Sequence, residues 1–389
     1  MDVMDYYEKS LQLHALHKGK IEVKSKVPLK TQFDLATAYT PGVAEPCLLI
    51  AQDPENARRY SIKANTVAVV SDGSAVLGLG NIGGLAALPV MESKAVLFKE
   101  FGGVDAFPIC LNTQDADEIV ETVKNIAPGF GGINLEDISA PRCFEIERRL
   151  KAEAGIPVFH NDGHGTAIAL GAAVINAFKL TGKPLEDVRA AVSGAGVCGN
   201  AIVKMLKLLG VREIVVCDSK GILNASRISE FGEDKLGLLE MTNKEGLSGG
   251  LAKAVKGRDL FIGVSKPNIL TGEMVRSMRK HPVIFATANP EPEIALDLAI
   301  ASGARVVGTS RADLPNQISN ALVFPGLFRG VLDAGAADIT NEMKVAAAYA
   351  LAGTIPDEEL LDEYVIPSVF KEGVADAISK AVADAWHFT

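Results

Sequence analysis

Short apolar runs alternate with longer mixed segments along most of the chain. Strand-like runs at 66–70, 106–110, 132–135 and 157–159 are separated by helix-like stretches at 89–100, 115–126 and 142–154. A second alternating block covers 188–308, with runs at 189–193, 213–217, 259–264, 283–286 and 304–307. Runs of this length, bounded by Gly and Pro, read as buried strands, and their regular alternation with helices predicts parallel, doubly wound sheets of the α/β class. Between the blocks lies the longest uncharged apolar stretch, 165–178. It is too short to cross a bilayer and predicts a buried helix, stopped by Gly182 and Pro184, that connects two domains. Beyond Arg311 the pattern is mostly helical and ends in a helix over 371–386, with no internal repeat or low-complexity segment.

Composition narrows the classes. With 389 residues, 48% hydrophobic and 22% charged, the chain is that of an ordinary globular enzyme of two domains. A net charge of -9 without a basic block argues against nucleic acid as a partner, so an anionic substrate needs local cations or a metal. Five widely spaced cysteines, Cys47, Cys110, Cys143, Cys198 and Cys217, with no C-x-x-C pair, indicate neither a disulfide framework nor a zinc knuckle. Reducing cytoplasm is the expected compartment. The acidic first eight residues lack the apolar core of a secretory signal, and no membrane partner is expected.

The pattern Gly-x-Gly-x-x-Gly occurs twice, as Gly78-Leu-Gly-Asn-Ile-Gly83 and as Gly194-Ala-Gly-Val-Cys-Gly199. Only the second follows a strand, opens a helix (200–209) and precedes a strand that ends in an acid, Asp218, at the spacing of a dinucleotide site. There Gly194, Ala195, Gly196, Val197, Cys198 and Gly199 would bring backbone close to a pyrophosphate at the helix N-terminus, and Asp218 would accept a ribose hydroxyl. NAD is therefore expected over NADP, although Ser219 and Lys220 could accommodate a 2′-phosphate. The first match is followed by Pro89 before any long helix and reads as a turn lining the cleft. These features predict an N-terminal α/β catalytic domain over 1–160 and a Rossmann-type nucleotide domain with a helical C-terminal segment over 161–389.

Two acidic motifs, Glu136-Asp137 and Asp162, close apolar runs just ahead of this fingerprint. Three carboxylates at strand ends suit Mg2+ or Mn2+ and not zinc; the alternative is that they cap helices. On a wheel of the 89–100 helix at ~100° per residue, Lys94 falls on the apolar arc with Met91, Ala95, Leu97 and Phe98, whereas Lys99 lies beside Glu92 and Glu100. A desolvated lysine has a lowered pKa and can serve as a general base; the alternative is that Lys94 snorkels to the surface.

Taken together, these motifs resemble the malic enzymes, in particular their short bacterial form, over nearly the whole chain. Tyr39-Thr-Pro-Gly-Val-Ala44 is similar to the segment that carries the family's catalytic tyrosine, and Lys94 in Met91-Glu-Ser-Lys-Ala95 to its catalytic lysine. Leu135-Glu-Asp-Ile138 and Asn161-Asp162 ahead of Gly163-His-Gly-Thr166 are similar to its metal motifs, which implies Glu136, Asp137 and Asp162 as ligands and Thr166 at the cofactor. Asn289 and Asn320 match its substrate-binding asparagines, Asn289 also facing the cofactor. One departure is Ser74-Ala75, where longer members carry an arginine for the substrate carboxylate. Without the resemblance, Tyr39 is simply a tyrosine ahead of Pro41-Gly42, where a turn or packing role is commoner. The resemblance implies oxidative decarboxylation of malate to pyruvate and CO2 with NAD(P) and a divalent metal, in a homodimer. A malolactic enzyme that retains NAD and releases lactate is the near alternative, and a non-catalytic NAD-sensing protein on the same fold the distant one.

Overall fold

The computed structural model describes residues 3–76 and 78–387. Four strands, β1 (Thr66–Ser71), β2 (Asp105–Cys110), β3 (Gly132–Leu135) and β4 (Val158–His160), form a first sheet in the order β2-β1-β3-β4, parallel throughout. Each crossover is helical: Gly83–Gly102 after β1, Ala116–Ile126 after β2 and Arg142–Glu153 after β3. The second sheet contains β5 (Arg189–Ser193), β6 (Glu213–Asp218), β7 (Gly221–Ile222), β8 (Leu260–Gly263), β9 (Val283–Ala286) and β10 (Val306–Thr309). Its order is β10-β9-β8-β5-β6-β7, parallel except for the antiparallel edge strand β7, which the apolar pattern does not signal because it is two residues long.

In each sheet the chain reverses its direction of travel beside the first strand, β1 or β5. A crevice opens at the carboxyl end of the strand at such a point, and ligands of α/β sheets bind there. The Asp72, Glu136 and Asp162 segments all leave the first sheet at that edge, and the glycine fingerprint leaves β5 at the same edge of the second.

The helix Asn161–Thr181 joins the sheets, and fifteen of its residues are buried. One apolar cluster runs from Val67, Met91 and Phe98 on the first sheet side through this helix to Val192, Val216 and Ile262 on the second. The C-terminal helices help to complete the first sheet's core: Phe324 and Phe328 of the helix Phe324–Asp333 lie 4.7 and 5.3 Å from the ring of Phe98, and Phe328 lies 6.0 Å from Phe159.

The helix predicted from Pro89 begins instead at Gly83 and carries Pro89 inside it. Pro89 forfeits one backbone hydrogen bond, a cost that packing of Ala87, Met91, Ala95 and Phe98 offsets. The first glycine match therefore does open a long helix; its Gly78, Gly80 and Gly83 all have positive φ near 75–78° and face open space, so they serve the turn and not close packing.

Candidate active site

Glu136 and Asp137 follow β3 directly, and Asp162 stands in the first turn of the helix after β4. Ligand oxygens of the three lie within 4.8 Å of one another. Asp137 has φ +55°, a left-handed conformation that Asp tolerates, and its amide donates to Asp162 Oδ2 at 2.7 Å. The capping alternative fails here, because the helices Arg142–Glu153 and Asn161–Thr181 start at Pro141 and His160, neither with a side-chain cap. Glu136 is fixed by two amides that sequence reading missed: Asn134 and Asn161 donate to its Oε2 at 2.9 and 3.0 Å. The spacing Asn134-x-Glu136 on a strand puts both on one face, which was the available signal.

Lys94 reaches this cluster from the side. Its Nζ lies 2.9 Å from Glu136 Oε1, donates to Asn320 Oδ1 at 3.2 Å and stands 5.1 Å above the ring of Phe324. It does not snorkel, its side chain being only 15% exposed. The expected lowering of its pKa is corrected, however. Burial lowers it, but Glu136, Asp162 and Asp137 raise it by more, and the net direction is upward. Among the acids, burial would raise Glu136, yet the Lys94 ammonium holds it below the usual range. Burial and then the Glu136 charge push Asp137 up to about 7 and Asp162 well above its ordinary value. Three carboxylates that cannot all ionise together are short of positive charge, and their oxygen-only donor set fits a hard divalent cation.

The nucleotide fingerprint touches this cluster. Cys198 donates its thiol to the Asp162 carbonyl at 3.1 Å, and Thr166 stands half-buried one turn beyond Asp162. A Cβ on Gly199 would fall 1.9 Å from the Gly194 carbonyl oxygen, and Gly194 itself has φ +120°, so both must be glycine. Ala195 and Val197 flank Gly196, where a Cβ would meet nothing within 4 Å; this is the open space a pyrophosphate requires. Asp218 ends β6 as expected, but it is engaged: Arg227 donates to both its oxygens at 3.1 and 2.9 Å, and Lys235 donates at 2.9 Å. Burial alone would raise it; the hydrogen bonds from Arg227, Lys235 and the Lys220 amide hold it at about 2.

Two of the residues singled out from sequence stand apart. Asn289 is exposed beyond β9. Tyr39 is 66% exposed and its hydroxyl bonds to nothing among the described residues. Arg142 was not anticipated; it pairs with the buried Asp72 at 2.6 Å, where Ser74 also bonds.

The model of the malic enzyme N-terminal domain matches residues 18–151, and that of the malic enzyme NAD binding domain matches 164–386. The chain belongs to the malic enzyme family. Among malic enzymes, it is 54% identical to the bifunctional malic/malolactic enzyme of Bacillus subtilis, over 98% of this chain and 93% of that protein. It is 53% identical to the NAD-dependent malic enzyme of Geobacillus stearothermophilus, over 95% of this chain and 77% of that protein. The solved NAD-dependent malic enzyme of Thermotoga maritima superposes with a TM-score of 0.92 at 48% identity, covering 96% of this chain and 98% of that one. The parallel two-sheet α/β architecture is thus that of malic enzymes, with an NAD(P)-binding second half.

Proposed function

We propose that this protein oxidatively decarboxylates L-malate to pyruvate and CO2 with NAD(P)+ as the oxidant and a divalent cation at Glu136, Asp137 and Asp162. The observation that carries the reading is the placement of Lys94 between Glu136 and Asn320, at the cluster to which the nucleotide fingerprint is joined through Cys198. Lys94 is the general base for the C2 hydroxyl of malate, and Asn320 aims its nitrogen. The bound nucleotide supplies the hydride acceptor at C2. A Mg2+ or Mn2+ would neutralise the acids that keep Lys94 charged and polarise the substrate oxygen. Asn134 and Asn161 keep Glu136 in place throughout. Tyr39 is the acid that protonates C3 of enolpyruvate, and Asn289 contacts substrate and cofactor.

NAD is the preferred nucleotide, since a carboxylate at Asp218 accepts the ribose 2′-hydroxyl. Arg227 and Lys235 temper its repulsion of a 2′-phosphate. Lys220 is spoken for by Glu230 at 2.9 Å. No helix among the described residues is long and apolar enough to cross a membrane, and we place the activity in the cytoplasm. The test is absorbance of reduced nicotinamide on adding malate, NAD and Mn2+. Stoichiometric accumulation of NADH and pyruvate is expected, abolished by EDTA; lactate without NADH would establish malolactic turnover instead, and full activity after EDTA would overturn the metal.

A further inference from the structure

A cavity of about 370 Å³ lies where three helices meet, outside the Lys94 cluster. The helix Arg142–Glu153, from the first half of the chain, contributes Arg148 and Lys151, and the helix Val197–Leu208, which opens from the nucleotide fingerprint, contributes Lys204. Gly163 and His164 of the connecting helix line it as well. Small-molecule sites run from about 300 to 1,000 Å³, so the cavity has room for a metabolite and not merely for an ion. Phe144, Val197 and Ala201 add apolar surface, which suits an occupant with a carbon body.

The charges around this cavity do not balance. Lys151 is paired with Asp338 at 2.9 Å, and Glu147, the one carboxylate in the lining, is taken by His164 at 3.0 Å. Beyond His164 lies Lys344, only 8% exposed, its Nζ 3.3 Å from the ring Nδ1 and without a carboxylate partner among the described residues. Burial lowers its pKa most, and Lys151 and Lys204 add to this against the pull of Glu147 and Asp338, down to about 8. Arg148 and Lys204 are exposed and make no ion pair or hydrogen bond among the described residues. In a chain of net charge -9, cations from both halves are gathered at one cavity with too few acids to match them. Such cations repel one another, and an anion seated among them turns that repulsion into attraction.

We propose that this cavity is a regulatory site for an organic polyanion of small-metabolite size, whose phosphoryl or carboxylate groups are held by Arg148, Lys151 and Lys204, and that its occupation strengthens nucleotide binding. Val197 is the first residue of the fingerprint helix, and a Cβ on Gly163 would lie 3.0 Å from its side chain, so the two helix starts are in contact. An anion that bridges Arg148 and Lys204 ties the fingerprint helix to the first half of the chain and fixes the turn that receives the pyrophosphate. The coupling is reciprocal: whatever factor the anion gives to the nucleotide, the nucleotide gives to the anion. The inference concerns binding and does not depend on the reaction assigned to the Lys94 cluster.

The test titrates glycerol 2-phosphate and tricarballylate, at ionic strength matched with NaCl, into the full chain saturated with NADH and free of divalent cations. Saturation keeps both probes out of the nucleotide turn. One binding event per chain is expected with at least one probe; glycerol 2-phosphate alone assigns a phosphoryl ligand, tricarballylate alone a carboxylate ligand, and both together a site that reads charge. In the double variant Arg148→Ala/Lys204→Ala that affinity should fall by about tenfold or more, since two charged contacts are lost. Both residues are exposed, so the variant's urea midpoint, and its NADH affinity without a probe, should match those of wild type. In wild type the bound probe should lower the NADH dissociation constant by about fivefold or more, read from nicotinamide fluorescence, and the variant should lose this response. No binding of either probe beyond that of NaCl, binding that survives the double substitution, or a bound probe that leaves NADH affinity unchanged or weaker would each overturn the proposal. Failure of malate to generate NADH would count against the assigned reaction and leave these titrations to decide the site.

Discussion

A lysine on the apolar face of a helix either bends out to water or finds a counter-charge inside. Lys94 does the second, because Glu136 is 2.9 Å away and is itself held by two amides. Lys94→Ala should reduce turnover by about 10²–10⁴-fold. Lys99→Ala should be nearly silent in the same assay, since Lys99 is 56% exposed and pairs with Asp105, away from the three acids. Asp162→Ala should abolish Mn2+ binding in isothermal titration while leaving the circular dichroism spectrum unchanged; retained micromolar affinity would exclude Asp162 as a ligand. Asp218 gives a pH signature. Its folded pKa of about 2 is below the ordinary 3.8, so its ion pairs contribute stability above that value and lose it as pH falls towards 2. In Asp218→Asn, unfolding midpoints measured between pH 5 and 2.5 should decline less steeply than in wild type.

At the scale of the element, the strand-turn-helix unit from β5 to Leu208 separates steric need from ligand need. Gly199→Ala puts a Cβ 1.9 Å from a carbonyl oxygen in a turn that cannot open without moving β5. It should cost about 2–4 kcal/mol in urea unfolding. Gly196→Ala has open space and an ordinary φ of -87°, so the unfolding midpoint should stay unchanged while NAD affinity drops by about tenfold or more. Equal effects of the two on stability would refute this division. The same logic explains Pro89: a helix packed along its length by Ala87, Met91, Ala95 and Phe98 tolerates the loss of one hydrogen bond that would end an isolated helix.

At the scale of the molecule, the C-terminal helices return to the first sheet, so the core around Phe98 and Phe159 depends on Phe324 and Phe328. A fragment of residues 1–160 should therefore be loosely packed, with dye-binding apolar surface and no near-ultraviolet circular dichroism; a cooperative unfolding transition for it would contradict this. Much of the rest was legible in the chain. The strands other than β7, the nucleotide turn, the acids at strand ends and the face of Lys94 follow from periodicity and spacing, because these are local and a two- or 3.6-residue repeat fixes which way a side chain points. The tertiary structure alone decided what depends on groups far apart in sequence. Asn320 reaches Lys94 across 226 residues, Arg227 and Lys235 engage Asp218, and Tyr39 is left facing outward. The protonation of Lys94 belongs with these, since burial and three surrounding carboxylates pull it in opposite directions and only their distances, which no sequence period encodes, determine which prevails.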